Sequence, residues 1–455
     1  MTRLALLGGG GFRVPLVYRA LLGVAPDIGI DEVALYDIDA ARLGVIEHVL
    51  AQLTDGRPGA PRVRVTTDLD DALSGARFVF AAIRVGGLTG RTFDERVPLA
   101  EGAIGQETTG PGGICYGLRT VPVMAGIAER IAVVCPDAWV VNFTNPAGMV
   151  TEAMSRTLGD RVIGVCDSPA GLVRRVVHAL GVDPARASAE YFGLNHLGWL
   201  HALRVDGRDR LPDLLADEER LESFEEGRLF GARWLRALGM VPNEYLVYFY
   251  RADESVRALH AATRTRGEQL RDQQERFYAD AAAAPGEALA LWEATRRERE
   301  ETYFAEHRPE GEDRDEADLS AGGYEGVAVR LLTALTADRP AELILDVRNR
   351  GALACLDDDA VVEVPCLVDG SGARPLTVGS VPGHAAGLVQ ALKSVERDTV
   401  SAALCGDRAL ALRALGTHPL VGSIDAAVRI LEAYESLDSQ LACRFEEAAP
   451  DESPA

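Results

Sequence analysis

The sequence predicts an α/β protein, with an N-terminal Rossmann-type doubly wound sheet and a C-terminal α+β domain. Three observations carry this reading. At 455 residues the chain is longer than one ordinary hydrophobic core supports. It opens with a short apolar run, a glycine-rich loop and a helical pattern, in that order. Through residue 165, further short apolar runs alternate with helical stretches, as in a parallel sheet covered on both faces. Domains are therefore expected at 1–165 and 166–445, with 446–455 (EEAAPDESPA after Phe445) a disordered tail.

The first unit sets the rest. Residues 3–7 (RLALL) read as a buried strand, and Gly8-Gly-Gly10-Gly11-Phe12-Arg13 as a loop. Pro15 to Leu22 reads as a helix with proline in its first turn. This is how a dinucleotide-binding βαβ unit begins. Gly8, Gly10 and Gly11, with Phe12 beside them, let the backbone approach a pyrophosphate, and the helix N-terminus adds its N–H groups. Gly8 and Gly10 fit the first two glycines of G-x-G-x-x-G, while Arg13 stands where the third belongs. The next strand, Glu32 to Asp37, ends in an acid placed to bond the adenosine ribose. That carboxylate would repel a 2′-phosphate, so NAD is expected rather than NADP.

The sheet then continues. Arg62 to Thr66 is a strand, Asp70 to Leu73 a short helix and Phe78 to Ile83 a buried strand. Past it come Arg84-Val-Gly-Gly-Leu-Thr-Gly-Arg91 and the loop Gly105 to Gly113, where open α/β sheets take their ligands. Arg119 to Ala132 reads as an amphipathic helix. The strand from Ala138 runs into Asn142-Phe-Thr-Asn145-Pro146, whose two asparagines read as ligand contacts ahead of plain turn formers.

Composition excludes several functions. The chain is 47% hydrophobic and 25% charged, a globular balance, and no run of 18 apolar residues exists to span a membrane. The first residues read as a strand and lack the pattern of a signal peptide. Seven cysteines without paired spacing indicate free thiols in a reducing cytoplasm. A net charge of −22 opposes nucleic acid and anionic membranes, so an anionic substrate must be drawn in by local arginines. Lys393 is the only lysine; there is no P-loop, and a Schiff base would rest on that one residue.

Chemistry concentrates after the sheet. Arg161 to Val165 is a strand that delivers Cys166-Asp167-Ser-Pro169, a helix follows from Ala170 to Leu180, and Gly193-Leu-Asn-His196-Leu-Gly-Trp199 comes next. The segment Tyr191 to His196 reads as strand or bend. A lone thiol and a lone imidazole match no structural zinc spacing. Two readings stay open on residues alone: a buried thiol with a satisfied core histidine, or a metal completed by substrate oxygens. Further on, Leu211 to Leu238 is helical and acidic, and Met240 to Tyr250 is an aromatic cluster. Ala261 to Ala282 is a long arginine-bearing helix, and residues 308–319 form a charged, mobile loop. Glu342 to Val347 and Ala360 to Val364 suggest strands, and Ala385 to Thr399 a helix. His384 and His418 read as structural.

Taken together, GGGGF (8–12), YDID (36–39), IRVGGLTGR (83–91), IGQETTGPGG (104–113), NFTNP (142–146), CDSP (166–169), GLNHLGW (193–199) and PNEYLVYFY (242–250) resemble glycoside hydrolase family 4, nearly end to end. That family uses NAD and a divalent metal and departs from two-carboxylate glycosidase chemistry. The resemblance implies a lactate/malate dehydrogenase-like first domain, a second domain for metal, substrate and oligomerisation, and a homodimer or homotetramer. It implies Cys166 and His196 as ligands of a metal, Mn²⁺ foremost, and Tyr245 as the base that takes the carbon 2 proton once NAD has oxidised carbon 3; Tyr248 is the alternative base. Asp167 matches the residue placed to protonate the leaving oxygen and to touch substrate. Arg264 matches a phosphate-binding position and Arg84 is a second candidate for it; Arg84 and Asn142 are also expected at the cofactor, and Arg84 and Asn145 at the substrate. The expected activity is a 6-phospho-β-glucosidase acting on substrates such as cellobiose 6-phosphate. Asp167 is frequent in 6-phospho-α-glucosidases, which makes that the alternative; from another class, the alternative is an NAD-dependent hydroxyacid or polyol dehydrogenase.

Overall fold

The structure is a computed structural model and describes residues 2–302, 323–337 and 339–447. Strands β1 (Thr2–Leu7), β2 (Ile30–Tyr36), β3 (Arg62–Thr66), β4 (Ala76–Ala81), β5 (Trp139–Asn142) and β6 (Val162–Gly164) run parallel in the order β3-β2-β1-β4-β5-β6. The order reverses between β1 and β4, and that reversal opens the crevice in which such sheets bind ligands. Helices cover both faces, so Leu4 to Leu7 and Phe78 to Ala81 are buried throughout, which explains their unbroken apolar runs.

A second, antiparallel sheet holds β7 (Ala187–Leu194), β8 (Leu197–Val205), β9 (Arg208–Asp209) and β10 (Val241–Pro242). The stretch expected as strand or bend is both: β7 and β8 form a hairpin in which Leu194 faces Leu197, so Asn195 and His196 are its two-residue turn. Then β11 (Ala341–Arg348), β12 (Val361–Asp369) and β13 (Gly372–Pro375) return antiparallel to the first sheet, Asp346 pairing with Gly164 of β6. The first sheet thus has nine strands, three of them from the last third of the chain.

The second half differs from expectation in two places. Leu211 to Leu238 is four short helices, Leu211–Ala216, Glu218–Glu222, Glu225–Phe230 and Ala232–Leu238. Asp217 caps the second, and Gly231, at φ 76°, separates the last two. The long arginine-bearing helix starts later, at Arg266–Ala283, because Thr265 and Glu268 close a capping box there. The helix Ser439–Glu447 runs two residues into the expected tail; residues 448–455 and the loop 308–319 lie outside the described residues. All seven cysteines are free, and among the described residues no helix is long and apolar enough to cross a membrane.

Lys393, on the helix Gly383–Cys405, is 2% exposed, and its Nζ pairs with Glu152 at 3.0 Å and with Glu396. Burial favours the neutral amine, but the two carboxylates outweigh it and hold the ammonium charged. A charged, enclosed lysine is no nucleophile, so no Schiff base forms here. Lys393→Met should lower stability by roughly 3–5 kcal/mol, because it strands buried carboxylate charge. A urea midpoint unchanged from wild type would refute this account of the triad.

Candidate active-site cleft

A cleft of about 1330 Å³ runs along the carboxyl ends of β1, β4 and β6. Gly8, Gly10, Gly11, Phe12, Asp37 and Arg84 line it, as do Asn145, Cys166, Asp167, His196, Tyr245 and Arg264.

At one end the glycine loop turns over Tyr36, whose carbonyl accepts from both Gly8 N–H (2.9 Å) and Gly9 N–H (2.7 Å). Gly8 has φ +86°, and a Cβ there would lie 2.5 Å from the Ala82 carbonyl oxygen, so only glycine fits. Gly10 N–H donates to Asp37 Oδ2 at 3.0 Å, which ties the β2 acid to the loop. Two helices from the second half brace the loop. Tyr278 Oη donates to the Gly10 carbonyl at 2.6 Å, and Trp292 Nε1 to the Phe12 carbonyl at 2.8 Å. The Phe12 ring packs edge-on against Phe277 at 5.3 Å, so Phe12 also anchors the loop to these helices.

Further along, β6 delivers Cys166 just before the helix Ser168–Leu180, and Cys166 is 5% exposed. Burial pushes the thiol well up, with Glu363, Asp167 and Asp346 adding to it. A thiolate at this position therefore calls for a cation. His196 occupies the hairpin turn at φ 61°, a conformation non-glycine residues rarely hold. Its Nδ1 is 2.8 Å from Thr108 Oγ1, which fixes the ring and directs Nε2 elsewhere. Burial drives His196 down to about 4 against the pull of Asp167 and Glu107, so the imidazole is neutral at pH 7. A neutral, oriented imidazole and a buried thiol that line the same cleft suit a divalent metal, and among the described residues no group of three His, Cys, Asp or Glu completes a closed site. Such a metal would keep positions open for a ligand.

Tyr245 reaches the same place by strand pairing. Val241 and Pro242 of β10 pair with Leu200 and Trp199 of β8, and Asn243 N–H donates to the Gly198 carbonyl at 2.9 Å. The turn Glu244–Leu246 then lays the half-buried Tyr245 ring on His196, with centroids 3.7 Å apart and planes 10° from parallel. Tyr248 lines the cleft but is 2% exposed.

Not every expected residue is placed as a contact. Asn142 does not line the cleft. Its Nδ2 bonds Thr151 Oγ1 at 3.1 Å and its Oδ1 accepts from Thr144 N–H at 3.0 Å, so it holds the NFTNP turn that presents Asn145. Arg264 is at the mouth, where it pairs with Asp272 and donates to the Glu268 carbonyl at 2.9 Å. Three groups escaped the sequence reading. Glu107 bridges Arg84 (2.5 Å) and Arg91 (2.7 Å); burial opposes its charge, yet the two arginines hold it down to about 2. Thr108 orients His196. Glu244 accepts from Ser168 Oγ at 2.7 Å, and its other oxygen has no hydrogen-bond partner among the described residues. Burial, against Arg175, raises it to about 7. Glu107 and Thr108 lay in GQETTG and Glu244 beside Tyr245, so the signal was position within motifs; their partners came only with the fold.

Comparisons with known proteins bear on this geometry. The chain is 33% identical, over 94% of its length and 95% of the relative's, to a Bacillus subtilis protein named probable 6-phospho-beta-glucosidase. The 6-phospho-beta glucosidase of Thermotoga maritima, solved with manganese, NAD⁺ and glucose-6-phosphate, superposes with a TM-score of 0.81 at 27% identity, covering 97% of this chain and 99% of that one. A 6-phospho-alpha-glucosidase from gut microorganisms, solved with NAD and Mn²⁺, gives 0.80 at 26% identity, covering 97% and 98%. Malate dehydrogenase of Plasmodium falciparum, at 11% identity and 0.52 over 90% of this chain and all of that one, shares the fold. Residues 3–182 match the family 4 glycosyl hydrolases and residues 191–421 the family 4 glycosyl hydrolase C-terminal domain. The chain belongs to glycoside hydrolase family 4.

Proposed function

We propose that this protein is a cytoplasmic, homo-oligomeric 6-phospho-β-glucosidase that works with NAD and a divalent metal, Mn²⁺ foremost. One observation carries the reading: the glycine loop with Asp37 and the Cys166–His196–Tyr245 group open into a single cleft, so a dinucleotide and a metal-held sugar meet there. Relatives solved with NAD, manganese and glucose-6-phosphate support both cofactors and a phosphorylated sugar. When bound, NAD supplies a hydride acceptor and later donor, and the metal supplies Lewis acidity toward substrate oxygens.

This chain's residues do the rest. Gly8, Gly10, Gly11 and Phe12 receive the dinucleotide backbone, and Asp37 the adenosine ribose. Cys166 and His196 hold the metal. Tyr245 takes the proton from carbon 2 of the oxidised sugar, and Asp167 protonates the departing oxygen. Arg84 and Asn145 orient the sugar between the two halves of the site. Arg264 meets the phosphate at the mouth by exchanging Asp272 for it, since a guanidinium binds either anion in the same fork geometry.

The β preference follows the GGGGF and PNEYLVYFY segments and the 33% identity to the Bacillus subtilis protein, while Asp167 and the gut-microbial relative favour the α alternative. Hydrolysis of the two nitrophenyl anomers of glucose 6-phosphate decides it. The β anomer should turn over at least about tenfold faster, on the order of 1.4 kcal/mol in the barrier. Faster α cleavage sinks the β assignment. NADH accumulating in step with substrate consumed would instead indicate a dehydrogenase.

A further inference from the structure

We propose that Glu363, a buried acid on β12, is a positioning residue whose one carboxylate ties together the two turns that carry His196 and Tyr245. β12 belongs to the first sheet and lies against β7 of the second. From there Glu363 reaches the hairpin in two directions. Its Oε1 accepts from Asn195 Nδ2 at 3.4 Å, and Asn195 precedes His196 in the two-residue turn. Its Oε2 accepts from Tyr191 Oη at 2.9 Å, and Tyr191 Oη accepts in turn from Asn243 Nδ2 at 3.0 Å. Asn243 heads the turn Glu244–Leu246, which holds Tyr245. Glu363, Tyr191 and Asn243 are all buried, so water does not compete for these bonds.

The residue type suits a clamp. A carboxylate offers acceptor sites on two oxygens and carries no hydrogen, so it takes both donors at once; an amide of the same size has one acceptor oxygen. Gly198 makes room for the Tyr191 hydroxyl, since a Cβ there would lie 2.1 Å from Tyr191 Oη. The position is also unfavourable for the sheet. Glu363 faces Asp346 directly across the β11–β12 ladder, and both are buried. Neither Asp346 oxygen has a hydrogen-bond partner among the described residues. Acids set opposite each other in a sheet destabilise it, and burial adds to the penalty. The neighbouring pairs of that ladder, Leu345 with Val364 and Val347 with Val362, are apolar, as stability alone would have it. Backbone pairing of β10 with β8 brings the two turns near each other. The acid fixes their side-chain ends, and with them the stack of the Tyr245 ring on His196.

That His196 holds a metal and Tyr245 takes a proton rests on the proposed function; the clamp does not. Hydrogen–deuterium exchange of the full chain, read by mass spectrometry, tests the clamp directly. Glu363→Met keeps the length of the side chain and removes both acceptors. Amide exchange in peptides covering 193–199 and 241–246 should then quicken together by about tenfold or more, as for lost hydrogen bonds to a charged group. Glu363→Gln, which keeps one acceptor oxygen, should recover part of the protection. Exchange that quickens in one segment alone, in neither, or equally throughout β7 and β8 overturns the proposal. Should Glu363→Met not fold, Tyr191→Phe decides. It cuts only the arm to Asn243, so 241–246 should loosen and 193–199 should not; the reverse, or no change, overturns the clamp. Turnover is the second readout. Loosened turns should lower kcat by about 10–100-fold, the range for partners one step behind a metal ligand. The KM for NAD⁺ should stay within about twofold, because the cofactor loop shares none of these contacts. Loosened turns with unchanged kcat would leave the clamp standing and count against His196 and Tyr245 as the reacting pair, and hence against the glycosidase reading.

Discussion

Replacing Cys166 by serine or His196 by alanine is expected to lower metal-dependent turnover by more than about 10²-fold, since even outer partners of metal ligands are worth 10–100-fold. The NAD⁺ dissociation constant should stay within about twofold, because the glycine loop and Asp37 are braced by Tyr278 and Trp292 and by neither of these residues. The physical basis is the pair's environment. A deeply buried thiol surrounded by carboxylates gains little from ionising unless a cation is beside it, and a histidine fixed by Thr108 has one nitrogen left to give. Activity titrated with Mn²⁺ and NAD⁺ binding followed by fluorescence separate the two effects. If both variants lose NAD⁺ affinity in proportion to turnover, the division of labour is wrong.

Tyr245→Phe is expected to reduce turnover by about 10²–10⁴-fold, the range for removing a positioned general base. It should also stop exchange of the carbon 2 proton with deuterated solvent, read by proton NMR. The substitution keeps the ring and hence its stacking on His196, so the hydroxyl alone is tested. Exchange that persists would move the role to another base, Tyr248 first, which lines the cleft although it is almost fully buried.

The first sheet was readable because its central strands are buried apolar runs, Leu4 to Leu7 running into Gly8 and Val33 to Leu35 leading to Asp37. The cofactor loop was readable for the same reason, since a positive φ at Gly8 leaves little choice of residue. What escaped depended on contacts between distant segments. That β11 to β13 would extend the first sheet is set by one pairing, Asp346 with Gly164, which no local pattern encodes. Asn142 looked like a ligand contact because asparagine at a strand end suits both ligand and turn; its buried bonds to Thr144 and Thr151 assign it to the turn. Glu107 and Glu244 sat inside quoted motifs, but an acid's charge state depends on neighbours that the sequence lists far away.

The brace on the glycine loop has a consequence for how the protein matures on the ribosome. The carbonyls of Gly10 and Phe12 are satisfied by side chains 268 and 280 positions downstream. The N-terminal sheet emerges early and can collapse on its own apolar runs, yet its nucleotide loop waits for Trp292 to leave the exit tunnel. At about 5–20 residues per second that delay spans tens of seconds. During it, the Gly10 and Phe12 carbonyls are still turned to water, so the loop takes its braced form only after Tyr278 and Trp292 have been made.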